Sequence, residues 1–169
     1  MATKWRFSHR SPVAEMSAAV YISVQQQDFS VADQYEALCA SASKAGAVVF
    51  FTGRVRPDGE SDPVLALELE HYPAMTEQSL HRITEQAALR WQVDAIRVIH
   101  RVGKLATGEQ IVYVGIAARH RAAAFSCAEY IMDYLKTRAP FWKKAWRASG
   151  AAWVEAVVSD QVACHRWED

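Results

Sequence analysis

The sequence predicts an α+β fold in one domain, and three observations carry that prediction. Runs with strand character and runs with helical periodicity alternate irregularly, without the steady strand–helix–strand succession that builds a parallel sheet. Two of the strand-like runs, over 95–102 and 109–118, are joined by the short segment GKLATG, which suits a hairpin-type loop. The chain is 169 residues long and has neither repeats nor low-complexity linkers. At that length one core buries roughly 70% of the unfolded surface.

Each element follows from its own residues. VYISV over 20–24 is a β-branched run that reads as an edge strand. In DFSVADQYEALCASA, Ser30 is placed to cap a helix and Asp33 stands where a weaker capping box needs it. Val31, Tyr35 and Leu38 give that helix its apolar stripe. GAVVFFTGRVR over 46–56 holds a continuous apolar run ending at Gly53, the pattern of a strand buried on both faces. PDGESDP over 57–63 is a loop by its turn chemistry. In VLALELEHY over 64–72, leucines alternate with Ala66, Glu68 and Glu70, giving a strand with one wet face. Pro73 then opens a helix on which Leu80, Ile83, Ala87 and Trp91 share a side. RHRAAAFSCAEYIMDYLKTRA over 119–139 is the second long helix, with Phe125, Ala128, Met132 and Leu135 on one side, and Pro140 stops it. WVEAVV over 153–158 reads as a last strand, followed by a short helical tail.

Composition narrows the function. Nineteen basic and 19 acidic residues give a formal net charge of +0, so no global field is present to hold DNA or an anionic membrane. Any anion recognition must be local. Cys39, Cys127 and Cys164 are odd in number, far apart and without a C-x-x-C pair, which argues against a disulfide framework and a cysteine zinc site. His71, His81, His100 and His165 show no metal-ligand spacing and read as structural; Glu68 and Glu70 read as a wet strand face. Nucleophile-elbow, Walker and dinucleotide glycine motifs are all missing. No apolar run approaches the ~20 residues that span a bilayer, so the expected compartment is the cytoplasm. Residues 1–15 are basic without a signal-peptide core and read as an N-terminal extension, with the domain over 16–169.

Two charge arrangements break local rules. Arg119, His120 and Arg121 stand at the start of a helix, where the partial positive charge makes cations unfavourable by ~0.3–1 kcal/mol each. A bound phosphate or carboxylate would turn that cost into a gain; the plain alternative is side chains screened by water. At the other end, DYLKTRAPFWKK gathers Lys136, Arg138, Lys143 and Lys144 around Pro140, Phe141 and Trp142. Lys136 and Arg138 complement the helix dipole. Lys143 and Lys144 follow two rings expected to turn inward, which would hold an ammonium near a low-dielectric wall and lower its pKa. Arg54 and Arg56, just past the apolar run, are suited to bidentate oxyanion contact or to plain solvation at a strand end.

FTGRVR, LELEHYPAMTE, VIHRVGKLATGEQIVYVG, RHRAAAF and above all YIMDYLKTRAPFWKK resemble the large, catalytic subunit of molybdopterin synthase, in order and over about 47–167. The resemblance implies an α+β fold of the α/β-hammerhead type, with a mixed or antiparallel sheet and flanking helices. It implies a sulfurtransferase that converts cyclic pyranopterin monophosphate into the molybdopterin dithiolene, without a metal or redox cofactor. Sulfur would arrive as a thiocarboxylate on the Gly-Gly end of a small ubiquitin-like carrier, and two catalytic subunits would form the core of a heterotetramer. Matching motifs make Lys136 and Lys143 the catalytic groups, with Arg56, His120, Arg121 and both lysines binding substrate. Met132 and Phe141 would be walls. Where family members often carry arginine, this chain has Val157. A second reading, from another class, is a non-catalytic module holding RNA or another anion on the cationic–aromatic cluster.

Overall fold

The computed structural model describes residues 18–155 and 158–167. The extension read at 1–15, the domain start at Met16 and the departure at Val157 lie outside them. In chain order the elements are β1 (Ala19–Gln25), α1 (Val31–Ser41), β2 (Ala47–Arg54), β3 (Ala66–His71), α2 (Pro73–Trp91) and β4 (Ala95–Arg101). There follow β5 (Gly103–Ala106), β6 (Gln110–Ala118), α3 (Arg121–Thr137), β7 (Phe141–Arg147), β8 (Gly150–Trp153) and α4 (Val158–His165). The α+β class is borne out.

Two four-stranded sheets result. The first runs β1-β4-β6-β2, with β1 parallel to β4 and the other pairs antiparallel. Its central strands β4 and β6 are covered on both faces, as the long apolar run of β6 requires. Ile96, Val98, Val114 and Ile116 pack under α2 and α3, against Leu80, Ile83, Ala87, Ala124 and Ile131. On the opposite face Ala95 and Ala117 meet Leu38 of α1. The second sheet runs β5-β3-β7-β8, antiparallel throughout, over a smaller core of Val55, Val64, Leu69, Leu105 and Ala145.

Helix α1 starts as its sequence predicts: the Ser30 hydroxyl accepts the Asp33 N–H at 3.2 Å. Ser30→Ala is expected to cost about 1 kcal/mol, read as a lower urea midpoint at unchanged slope. A midpoint equal to wild type would show that packing of Leu38, not the cap, sets where α1 begins.

Five expectations need correction. β2 is not buried on both faces: it is an edge strand of the first sheet, and Phe50 and Phe51 on its two faces remain 46% and 44% exposed. GKLA is not merely a connecting loop. Gly103, at φ +83°, turns the chain sharply out of β4, and the next residues pair with β3 of the second sheet. Glycine alone adopts that angle at little cost, so one residue hands the chain from one sheet to the other. Of the strand expected over 153–158, residues 156–157 lie outside the described residues; among the described ones the last strand is β8, which the turn at Gly150 (φ +130°) folds back on β7, and Val158 already belongs to α4. On α3, Ala128 and Leu135 are buried but Phe125 is exposed. The buried face is centred on Ala124, Cys127, Ile131 and Tyr134, and Phe125 lies beyond its border beside Met132 and Lys136 at helical spacing. Finally, the residues after Pro140 form a strand rather than an inward tuck, so Phe141 packs against the main core while Trp142 points outward.

Candidate active site

The lysine-rich stretch wraps a tight chain reversal. α3 ends at Thr137, and the N–H groups of Arg138 and Ala139 both reach back to the Tyr134 carbonyl, at 2.8 and 3.3 Å. Pro140 prevents a further turn of helix, and the Phe141 N–H closes on the Ala139 carbonyl at 2.8 Å. Strand β7 starts there, and the Thr76 hydroxyl of α2 faces the Pro140 carbonyl at 3.5 Å. Lys136 therefore stands on the last turn before the reversal and Lys143 just after it. Lys136 is exposed and Lys143 half-buried.

Strand alternation sorts the cations of this stretch. Lys144 shares a face with Trp142 and Trp146, and its ammonium stands 5.3 Å from the Trp146 ring and 5.4 Å from the Trp153 ring. Lys104 covers Trp146 at 3.7 Å, and the Trp146 indole N–H donates to the Glu68 carboxylate at 2.8 Å. That is a cation–aromatic outer face. Lys143 lies on the other face with Phe141 and Ala145, opposite Leu69 in the β3–β7 register.

The surroundings of Lys143 include a pair of histidines that spacing rules pass over. His100 of β4 stacks flat on Phe141, ring centroids 3.8 Å apart at 13°, and His71, in register with Phe141, lies 6.2 Å from it. The His100 Nδ1 is 2.9 Å from the Arg101 carbonyl oxygen, which has no proton to give, so Nδ1 carries the hydrogen. Burial lowers the His100 pKa to about 4, and coulombic repulsion from Lys143 and His71 pushes the same way. At neutral pH, Lys143 thus sits beside a neutral imidazole. The signal in the sequence was a histidine and an arginine closing the apolar run AIRVIHRV.

Arg56 leaves β2 one residue after Val55, which is buried in the second core with Leu69 and Ala145, the neighbours of Lys143. Its guanidinium is 79% exposed and pairs with Asp58 at 3.1 Å, a surface contact worth little in itself. Arg54 donates to the Gly108 carbonyl at 2.7 Å.

His120 and Arg121 are elsewhere on the chain. His120 is the N-cap residue of α3, in extended backbone and without a side-chain cap bond, and Arg121 follows it; both are exposed. Gly46 admits this end of the helix, since a Cβ there would stand 2.7 Å from the Arg119 carbonyl oxygen. At 1.5 Å per residue, roughly 20 Å of helix separates Arg121 from Lys136. In one copy of the chain the neighbours of Arg56 and of Lys143 share the small second core, and Lys136 and Lys143 flank one reversal. That copy does not bring His120 and Arg121 to them. A groove of about 140 Å³ between α2 and α3, lined by Ser79, Arg82, Ile83, Gln86, Tyr134 and Arg138, includes neither lysine.

The MoaE protein family model matches residues 24–138. The chain belongs to the MoaE family. It is 54% identical over 147 residues to a molybdopterin synthase catalytic subunit of Vibrio cholerae, covering 87% of this chain and 97% of that relative. Among solved structures, a molybdopterin biosynthesis MoaE protein from Burkholderia ambifaria superposes with a TM-score of 0.77 at 43% identity, over 89% of this chain and 99% of that one. A molybdopterin synthase from Staphylococcus aureus superposes at 0.73 and 27%, over 78% and 95%. The family read from the motifs is therefore the right one, and so is its class, a sulfurtransferase of molybdenum cofactor biosynthesis. The reading as a non-catalytic anion- or RNA-binding module finds no support. Among the described residues no helix is long and apolar enough to cross a membrane.

Proposed function

We propose that this chain transfers sulfur from the thiocarboxylated C-terminus of a small ubiquitin-like carrier to cyclic pyranopterin monophosphate, in the cytoplasm and as the dimeric core of a heterotetramer. Lys136 is the central catalytic group and Lys143 assists it. Arg56, His120 and Arg121 hold the substrate phosphate. The observation that carries the reading is the pairing of a family match over most of the chain with two lysines flanking one reversal, above the small core that also anchors Arg56.

The chemistry suits these residues. Each transfer leaves a carboxylate on the carrier where a thiocarboxylate stood, so oxygen from water replaces the departing sulfur and protons must be moved. An amine at the reacting carbonyl can give and take them. Both reactants are anions, and a protein cation 4 Å from an anionic unit charge attracts it by ~4 kcal/mol at an effective dielectric near 20. A few cations suffice, without a basic protein. Because His120 and Arg121 lie a helix length from Lys136, a complete site draws them from a second copy.

The test is reconstitution. The purified chain, mixed with thiocarboxylated carrier and cyclic precursor, should yield the dithiolene product and a carrier ending in carboxylate, with two carriers consumed per product. Precursor returned unchanged under conditions where the Vibrio cholerae relative turns over would sink the reading. Mixing Lys136→Ala and Arg121→Ala chains tests the shared site: mixed dimers should regain activity that neither variant has alone, and no recovery would remove Arg121 from the site that Lys136 serves.

A further inference from the structure

We propose that Arg101, acting through Glu109, is a positioning residue that fixes the backbone from which Arg56 meets the anionic substrate; this rests on Arg56 belonging to the substrate site. Arg101 ends β4 and is 6% exposed. Its Nε donates to the Gln26 carbonyl at 3.1 Å. One terminal nitrogen donates to the Gln110 carbonyl at 3.0 Å with the Asp28 carboxylate 3.5 Å away, and the other donates to Glu109 Oε1 at 3.1 Å. The second oxygen of Glu109 accepts the Ala106 N–H at 2.6 Å. A buried guanidinium thus grips the turn between β5 and β6 from below.

The outer side of that turn holds the exit of β2. The Val55 N–H donates to the Glu109 carbonyl at 2.9 Å, the Gly108 N–H donates to the Val55 carbonyl at 2.9 Å, and Arg54 Nε donates to the Gly108 carbonyl at 2.7 Å. Thr107 secures the far end of the loop that follows Arg56. Its N–H donates to the Leu65 carbonyl at 3.0 Å and its hydroxyl to the Val64 carbonyl at 2.5 Å. Both ends of the segment carrying Arg56 therefore hang on one turn, and that turn hangs on Arg101. Stability is a poor account of this arrangement, because a buried ion pair is often no more stabilising than apolar residues of its size. Presentation is a better one. An exposed arginine spends much of its contact energy on being ordered, and a fixed backbone reduces that loss.

Steady-state kinetics of the full chain with carrier, varying cyclic precursor, separate these accounts. Glu109→Gln, which keeps size but loosens the grip on Arg101, should raise KM about tenfold, the effect of one charge-assisted contact, with kcat nearly unchanged. Arg56→Ala should do the same, and the double variant should be no worse than either. Amide exchange at Val55 and Gly108 should quicken in Glu109→Gln. Arg101→Lys, whose ammonium cannot fork to the same acceptors, should reproduce the KM effect and serves if Glu109→Gln folds poorly. If Arg56→Ala raises KM while Glu109→Gln and Arg101→Lys change neither KM nor exchange, or add fully to it, the positioning role is wrong and the Arg56 assignment stands. If Arg56→Ala leaves KM unchanged, that assignment fails and takes this inference with it.

Discussion

Truncating Lys136 to alanine should lower sulfur transfer at least a hundredfold, the lower end of the roughly hundred- to ten-thousandfold that a positioned proton donor or acceptor contributes, and leave the fold intact. The separation of the two effects follows from where the residue stands. Lys136 is exposed on the last turn of α3 and belongs to no core cluster, while Tyr134 and Leu135 beside it are buried. Alanine is the best helix former, and a cation lost from a helix C-terminus costs ~0.3–1 kcal/mol. Far-UV circular dichroism and the urea midpoint should therefore barely move while turnover collapses. Lys136→Arg then divides two roles that alanine removes together. Arginine keeps the positive charge but does not give up its proton in proteins. An inactive arginine variant with normal carrier affinity points to proton transfer; an active one reduces Lys136 to an anion contact. Wild-type turnover by the alanine variant would remove the catalytic assignment altogether.

What the sequence revealed and what it hid divide along physical lines. Local signals were legible: Ser30 caps α1, Pro140 ends α3, and the strand-like runs over 95–102 and 109–118 are β4 and β6. Features set by distant partners were not. GKLA looks like a turn because Gly103 and Gly108 both take positive φ, yet the residues between complete a second sheet with a strand some forty positions earlier in the chain. Phe50 and Phe51 read as buried because apolarity says that a surface is to be covered, not by what; within one copy it is an open edge. For the candidate site, Lys136 and Lys143 were found by motif and lie at one reversal. His100 and Arg101 were passed over, since a histidine stacked on Phe141 and an arginine gripping a turn have no linear signature beyond polar residues at the end of an apolar run. Lys144, grouped with Lys143 by adjacency, faces the opposite way because strand neighbours alternate.

His100 should make the protein acid-labile well above the range where carboxylates titrate. In the unfolded chain its imidazole takes a proton near pH 6.5; in the fold, burial holds that step down at about 4. Above the unfolded pKa both states are neutral and His100 contributes nothing to the pH dependence. As pH falls through the window between the two values, the unfolded state gains a proton that the fold refuses, and stability declines. The loss is about 2 kcal/mol between pH 7 and pH 5 and levels off near pH 4 at about 3 kcal/mol. The surroundings of the ring explain why it resists: it is buried, Phe141 covers one face, and coulombic repulsion from Lys143 and His71 opposes a positive charge on it. Only the Arg101 carbonyl, which accepts the Nδ1–H, favours protonation. Urea midpoints across this window should fall steeply for wild type and much less for His100→Asn, whose lower absolute stability does not affect the comparison of slopes. Parallel curves would mean that the fold accommodates an imidazolium against Phe141, and a nuclear magnetic resonance titration placing His100 near 6.5 would say the same. In either case the neutral surroundings assigned to Lys143 would have to be given up, and with them the account of a lysine beside an uncharged imidazole at the candidate site.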